Sequence, residues 1–221
     1  MTSTERAIPF QIERATPTLG AYVSGIDITQ TLSADVIKEL RAALNLHQVL
    51  FFRDQPFTPD QHKRFAAYFG PLHSHPNLKG VAAHPELIAI HSDAKTGRIA
   101  GDKWHSDVSC DPTPPLGSVL HIWQLPDSGG DTLWVNVEAA YEALSDPLKQ
   151  FLAPLTATHD GEQAYRGRNK SNGQADNGRV YPKASHPVVR THPETGRKGL
   201  FVNPNFTSHI KGLQRSQSDA L

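Results

Sequence analysis

The sequence predicts an α+β fold, mainly β with flanking helices, built as a double-sheet jelly roll. Helical patterns dominate before Gly70, and short strand-like segments dominate from Leu87 onward. Helices followed by many short strands are typical of two stacked sheets with helices packed outside them. A chain of 221 residues can bury one core and no linker divides it, so we expect a single domain over residues 1–221.

The region before Gly70 predicts three strands and two helices. Phe10–Ile28 alternates short apolar pieces with glycines, which indicates two short strands joined by turns. Ser33 caps a helix with apolar residues at helical spacing, and Val49–Phe52 is a buried strand. Thr58-Pro59-Asp60-Gln61 has the capping-box pattern of a second helix that ends near Phe69.

The second half predicts a sheet-rich region with one helical interruption. The helix runs over Glu138–Leu144, with a continuation to about Leu152, and Asn136 is its expected cap. Residues 161–185 are polar and glycine-rich, which favours a mobile loop that could close over a site. His186–Val202 is expected to be a hairpin. The expected strands are Leu87–His91, Trp104–Val108, Ser118–Leu125, Thr132–Val135, His186–Arg190 and Gly199–Val202.

Composition excludes several classes of protein. The 22 basic and 22 acidic residues cancel without any block of like charge, so neither nucleic acid nor an anionic membrane is an expected partner. Cys110 is the only cysteine, which excludes a disulfide framework and multi-cysteine metal sites and suits a reducing cytoplasm. The sequence shows no signal peptide and no apolar run of membrane-spanning length. We therefore expect a soluble cytoplasmic protein with a small-molecule partner.

Two His-x-Asp pairs are candidates for part of a metal site. Residues i and i+2 of a strand share a face, so His105 and Asp107 could converge on one ion, as in a 2-His-1-carboxylate site for Fe(II). Chance could supply this spacing in a chain with 12 histidines. The rival pair is His91 and Asp93, but Asp93 falls in a turn and is expected to be a solvated carboxylate.

Five segments, in this order, carry a resemblance to a known family: Trp104–Val108, Thr113–Pro115, Ser128–Trp134, Ala139–Ser145 and His186–Pro193. Together they resemble the taurine dioxygenase family of Fe(II)- and 2-oxoglutarate-dependent oxygenases. The likeness covers almost the whole chain, from Gly20 to Ile210. It implies a distorted double-stranded β-helix, or jelly roll, whose enzymes use O₂ and 2-oxoglutarate to hydroxylate a small anionic substrate and release succinate and CO₂.

The resemblance also implies roles for individual residues. His105 and Asp107 would be iron ligands, and Thr132 would hydrogen-bond a carboxylate of 2-oxoglutarate. From the residues alone, Gly129-Gly130 is a hairpin turn and Thr132 an ordinary strand residue.

His75 matches a histidine that contacts the substrate's sulfonate, which an imidazole N–H can bind, although a plain loop histidine is the alternative. Tyr165 and Phe206 match aromatic walls of the substrate pocket, and their alternative is a plain core or loop position.

The sequence departs from the family pattern in two ways. Leu78 and Gly101 replace a tyrosine and an asparagine that contact taurine, which leaves the substrate open among taurine, another sulfonate, a sulfate ester or another small organic acid.

The distal iron-ligand histidine and the 2-oxoglutarate-binding arginine are expected past Leu221. Ser216–Leu221 looks like a helix start, capped by Ser216 or Ser218, that is too short to propagate. We therefore expect a jelly roll missing its last strands, with a catalytically inactive remnant as the alternative to an active oxygenase. A homo-oligomer is also consistent with the family.

Overall fold

The computed structural model describes residues 9–93, 96, 101–166 and 180–221. Its strands are β1 (Gln11–Arg14), β2 (Ala21–Ser24), β3 (Leu50–Phe52), β4 (Thr156–Asp160), β5 (Lys183–Pro187), β6 (Val189–Thr191), β7 (Lys198–Leu200) and β8 (Thr207–Ile210). Its helices are α1 (Ala34–His47), α2 (Pro59–Ala67), α3 (Val137–Glu142), α4 (Asp146–Leu152), α5 (Gly161–Tyr165) and α6 (Arg215–Ala220). These mixed sheets and helices confirm the α+β class. None of the helices in the described part of the chain is long and apolar enough to cross a membrane.

The chain divides into two compact units. The first contains the described residues up to Leu72 together with Val119–Asn136, and the second contains those of His73–Ser118 and Val137–Leu221. In the first unit, β1 pairs antiparallel with β2, and β2 pairs parallel with β3. Its core consists of six buried apolar side chains: Phe10, Val23, Ile28, Leu40, Phe57 and Phe65.

The two helices of the first unit begin where the sequence predicts. The Ser33 side chain accepts a hydrogen bond from the Val36 N–H at the start of α1. At the start of α2, Thr58 and Gln61 each accept a hydrogen bond from the other's backbone N–H, which completes the predicted capping box.

The second unit is built on a sheet with strand order β5-β4-β8 and on a hairpin of β6 and β7. The predicted hairpin is thus confirmed, with β6 and β7 as its strands. One core cluster lies behind the sheet and contains Leu152, Ala157, Val188 and Ile210. A second cluster lies around α5 and contains Val108, Cys110, Ala164, Tyr165 and Phe206.

Four predicted strands are not strands in the structure: Leu87–His91, Trp104–Val108, Ser118–Leu125 and Thr132–Val135. Their apolar side chains suggest a sheet face, but a strand also requires a neighbour that pairs with its backbone. Among the described residues, the three sheets do not include these segments. Several of their large apolar side chains are exposed as a result, including Trp123 at 81%.

The predicted loop over 161–185 and the predicted helix cap near the end of the chain need correction. Gly161–Tyr165 form helix α5 and Lys183–Pro187 form strand β5, while residues 167–179 lie outside the described residues. The last helix begins two positions before the earlier of the two expected caps, because the N-cap residue is Gln214, whose N–H donates to the Gln217 side chain.

Gly161 offers a test of the packing that joins β4 to α5. Added to Gly161, a Cβ atom would lie 2.9 Å from the Pro182 carbonyl oxygen and 3.2 Å from Cys110 Sγ. We expect Gly161→Ala to lower the free energy of unfolding by about 1–3 kcal/mol, because neither neighbour can move freely. Urea denaturation measures this change. Gly117→Ala is the matched control, because a Cβ there meets nothing within 4 Å, and equal losses in both variants would contradict the prediction.

Candidate metal and substrate site

His105 and Asp107 face each other at the start of a turn in the second unit. Their Nε2 and Oδ1 atoms are 3.3 Å apart, with the His105 side chain 29% and the Asp107 side chain 50% exposed. The predicted convergence is therefore seen, but a turn over 107–110 produces it and not a strand. An imidazole nitrogen and a carboxylate oxygen at this separation can ligate the same divalent ion.

The far atom of each ligand is held by a neighbour. The Lys103 carbonyl oxygen lies 2.6 Å from His105 Nδ1, and the Ser118 hydroxyl donates to Asp107 Oδ2 at 2.5 Å. A carbonyl at Nδ1 keeps a proton on that nitrogen, so a metal would bind His105 at Nε2, in place of the proton that Nε2 donates to Asp107, and such outer contacts commonly orient metal ligands in proteins.

The charge of Asp107 is favoured by the same contacts. A hydrogen bond from His105 lowers the pKa of Asp107 more than burial raises it, with further lowering from the Ser118 hydroxyl. The carboxyl group is thus held as the carboxylate that a metal requires.

The rival pair, His91 and Asp93, also comes close but in a different setting. Nε2 and Oδ2 are 3.6 Å apart, yet the His91 side chain is 81% exposed. Asp93 is tied to Thr96, which accepts from the Asp93 N–H and donates to its carboxylate. This confirms the expectation of a solvated turn carboxylate.

His75 and Tyr165 meet next to this turn. The backbone N–H groups of Asn77 and Leu78 both donate to His75 Nδ1 at 3.0 Å, so the ring carries its proton on Nε2. Nε2 lies 3.2 Å from the Tyr165 hydroxyl oxygen. The Tyr165 hydroxyl also hydrogen-bonds the thiol of buried Cys110, whose pKa burial raises to about 11.

Phe206 packs beside Tyr165 in the core cluster around α5. Their ring centroids are 5.5 Å apart in an edge-on arrangement, and both side chains are buried. The predicted residues His75, Tyr165 and Phe206 are therefore brought together.

Thr132 lies in the first unit, in an exposed segment that is not a strand. Gly129 and Gly130 before it have φ angles of 76° and 73°, the left-handed values that a tight turn at this dipeptide requires.

Sequence reasoning missed a buried polar cluster behind the turn. Fully buried His159 lies in strand β4, with its Nδ1 atom 3.0 Å from the hydroxyl of fully buried Ser109. Asn203 Nδ2 donates to the same hydroxyl at 3.2 Å. Alternation in Thr156-Ala157-Thr158-His159-Asp160, with β-branched residues on one face, was the signal that could have revealed this strand.

Comparisons with known proteins agree on one family. The family model described as taurine catabolism dioxygenase TauD, TfdA family matches residues 11–221. This chain belongs to that family.

Individual relatives support the assignment. An alkylsulfatase from Acinetobacter baylyi is 35% identical over 96% of this chain and 68% of its own length. An α-ketoglutarate-dependent sulfate ester dioxygenase from Pseudomonas putida is 32% identical over 97% of this chain and 73% of its own length. The crystal structure of a taurine dioxygenase from Burkholderia xenovorans superposes with a TM-score of 0.74 and 33% identity, over 96% of this chain and 69% of that one.

Two fungal relatives are longer. The chain spans 55% of the matched protein from Schizosaccharomyces pombe and 53% of an α-ketoglutarate-dependent sulfonate dioxygenase from Saccharomyces cerevisiae.

The TauD family implies a metal, and the donor set of His105 and Asp107 fits one. Each residue turns one donor atom toward the other and has its second donor atom held. In the described part of the chain, no group of three metal-binding side chains gathers.

Burial of His159 predicts a pH dependence of stability. Burial, aided by nearby His186, lowers the pKa of His159 from 6.5 to about 4. Between pH 6.5 and 4, the unfolded chain therefore binds a proton at this histidine that the folded protein does not bind. His159 leaves the free energy of unfolding unreduced above pH 6.5 and lowers it as the pH drops toward 4. The loss contributed by this histidine should reach about 3 kcal/mol.

Urea denaturation at several pH values measures this loss. His159→Phe should flatten the curve between pH 6.5 and 4. His209→Gln, at an exposed histidine of the same sheet, should leave the curve as it is, and equal slopes in all three proteins would refute the assignment.

Proposed function

We propose that this protein is an Fe(II)- and 2-oxoglutarate-dependent dioxygenase that hydroxylates a small organic sulfonate, sulfate ester or related organic acid. The observation that carries the proposal is the pair of His105 Nε2 and Asp107 Oδ1, which lie 3.3 Å apart. The second donor atom of each residue is held by a neighbour, the Lys103 carbonyl for His105 and the Ser118 hydroxyl for Asp107. Membership of the TauD, TfdA family supports the reaction class. We also propose that the chain adopts the distorted jelly roll of this family.

His105 Nε2 and Asp107 Oδ1 would hold the iron. Iron bound there with 2-oxoglutarate would supply the activation of O₂ that hydroxylates the substrate and releases succinate and CO₂. The protein's own contribution is to hold His105 Nδ1 on the Lys103 carbonyl, so that Nε2 faces the metal position, and to keep Asp107 ionised. Thr132 would hydrogen-bond a carboxylate of 2-oxoglutarate.

The substrate's anionic group would bind at His75. Because its Nδ1 atom accepts two backbone N–H groups, His75 presents an N–H at Nε2, toward Tyr165. An oxygen of a sulfonate, sulfate or carboxylate can accept this N–H and the Tyr165 O–H together. Phe206 and the Tyr165 ring would pack against the organic part of the substrate.

Leu78 and Gly101, the two positions that depart from the family pattern, lie next to His75 and His105. Leu78 supplies one of the N–H groups that fix His75, and a Cβ on Gly101 would lie 3.7 Å from His105 Cε1. Leu78 has an apolar side chain and Gly101 has none, where the family pattern has a tyrosine and an asparagine that contact taurine. This loss of polar groups favours a less polar substrate than taurine. The relatives, which include an alkylsulfatase and sulfate ester and sulfonate dioxygenases, support this range and lend no support to an inactive remnant.

Loss of a proposed ligand should abolish turnover. In the protein as its gene encodes it, His105→Ala and Asp107→Asn should reduce succinate formation from 2-oxoglutarate by more than the roughly 10–100-fold that loss of an outer contact costs. The assay contains Fe(II), ascorbate and a panel of alkyl sulfonates, sulfate esters and carboxylates.

His91→Ala and Asp93→Asn are the matched controls, because they remove the other His-x-Asp pair. Activity that survives His105→Ala, or no 2-oxoglutarate turnover with any substrate, would overturn the proposed function.

His75 should determine binding of the anionic group. His75→Ala should lower kcat/KM by about 10–100-fold, mainly through KM, because a hydrogen bond to a charged group is lost. His73→Ala is the control, since His73 lies two residues away and faces Asp111 at 3.8 Å. Equal KM values for His75→Ala and the unsubstituted protein would remove His75 from the substrate site.

A further inference from the structure

The turn Asp107–Cys110 has a backbone conformation that needs support. Val108 has a φ angle of 51°, in the left-handed region that β-branched residues rarely adopt. Such a conformation costs about 1–3 kcal/mol and persists only where its surroundings impose it. The Asp111 N–H closes the turn by donating to the Val108 carbonyl at 2.9 Å.

The side chain of Ser109 supplies that support from inside the protein. Its hydroxyl oxygen is 3.0 Å from His159 Nδ1 and 3.2 Å from Asn203 Nδ2. Asn203 Oδ1 accepts the Phe206 N–H, which orients the amide so that its Nδ2 donates to Ser109. The Ser109 O–H is then left to donate to His159 Nδ1.

His159 is itself held firmly. Its ring stacks on Phe201 at a centroid distance of 5.4 Å and meets the edge of His186 at 5.2 Å. The register of β4 against β8 shifts between Thr158 and His159, and such irregularities commonly redirect a side chain next to a site. His186 also holds the far end of the turn, because its Nε2 lies 3.0 Å from the Asp111 carbonyl oxygen.

We propose that Ser109, His159 and Asn203 are positioning residues whose buried hydrogen bonds hold the turn Asp107–Cys110 so that the Asp107 carboxylate faces His105. The inference rests on the proposed function, which makes Asp107 a metal ligand. The turn also ends in Cys110, whose thiol bonds the Tyr165 hydroxyl, so one support fixes both the metal side and the substrate side of the site.

Co(II) binding, followed by its visible spectrum, tests the inference in the protein as its gene encodes it. Ser109→Ala removes the shared hydroxyl, and His159→Phe removes Nδ1 while keeping a ring against Phe201. Both should weaken Co(II) binding by about 10–100-fold, as loss of an outer contact does. Ser208→Ala is the matched control, because the Ser208 hydroxyl bonds the Thr158 carbonyl in the same sheet and not the turn, and it should change affinity less than twofold.

A second measurement needs no metal. Ring nitrogen signals of His105 and the amide signal of Asp107, measured by NMR in metal-free protein, should move in Ser109→Ala and His159→Phe and stay in place in Ser208→Ala. If Ser109→Ala does not fold, which urea denaturation reports, His159→Phe carries the test, because it replaces a buried ring with an apolar one.

The outcomes separate the two claims. Absence of Co(II) binding by the unsubstituted protein, or binding that Asp107→Ala leaves unchanged, would overturn the proposed function. Normal Co(II) affinity together with unmoved NMR signals in both Ser109→Ala and His159→Phe would overturn the positioning role alone. Weaker binding and shifted signals in these two variants, but not in Ser208→Ala, would support it.

Discussion

The hydrogen bond between Ser109 and His159 joins the site-bearing turn to the sheet of the second unit. These residues are 50 positions apart in the chain, and Asn203, the other partner of Ser109, is 94 positions away. Because the turn contains a valine at positive φ, its shape depends on such distant contacts and not on local preference. The approach of Asp107 to His105 is therefore a property of the assembled unit.

Local signals in the sequence predicted the elements whose causes are local. Ser33, Thr58 and Gln61 cap their helices because their side chains reach backbone groups only three residues away. Strand predictions failed where the cause is distant: Trp104–Val108 has strand-like residues, yet the chain turns at Asp107, and the sheet forms from Thr156–Asp160. The predicted convergence of His105 and Asp107 is thus seen in the structure, although a turn and not strand geometry brings the two side chains together.

His159 shows why part of the site could not be predicted. One buried histidine among twelve has no mark of its own in the sequence, because its role depends on Ser109 and Phe201, which no spacing rule connects to it. Burying a polar ring is costly unless the ring is hydrogen-bonded. The full burial of His159 in a strand therefore indicates that the structure requires a hydrogen-bonding ring at that position. That requirement becomes visible only when the turn and the sheet are seen together.

The His75 tautomer bears on what the proposed substrate pocket could select. Two backbone N–H groups occupy Nδ1, so the ring offers a neutral N–H donor, and the Tyr165 hydroxyl beside it offers a second. Neutral donors recognise the placement of acceptor oxygens more than the amount of charge, so under the proposed function sulfonates, sulfate esters and carboxylates would be comparable ligands. A substrate oxygen must nevertheless replace the contact between His75 and Tyr165 or bridge it. Under the proposed function, selection among these anions would then fall to the apolar residues around the organic part of the substrate.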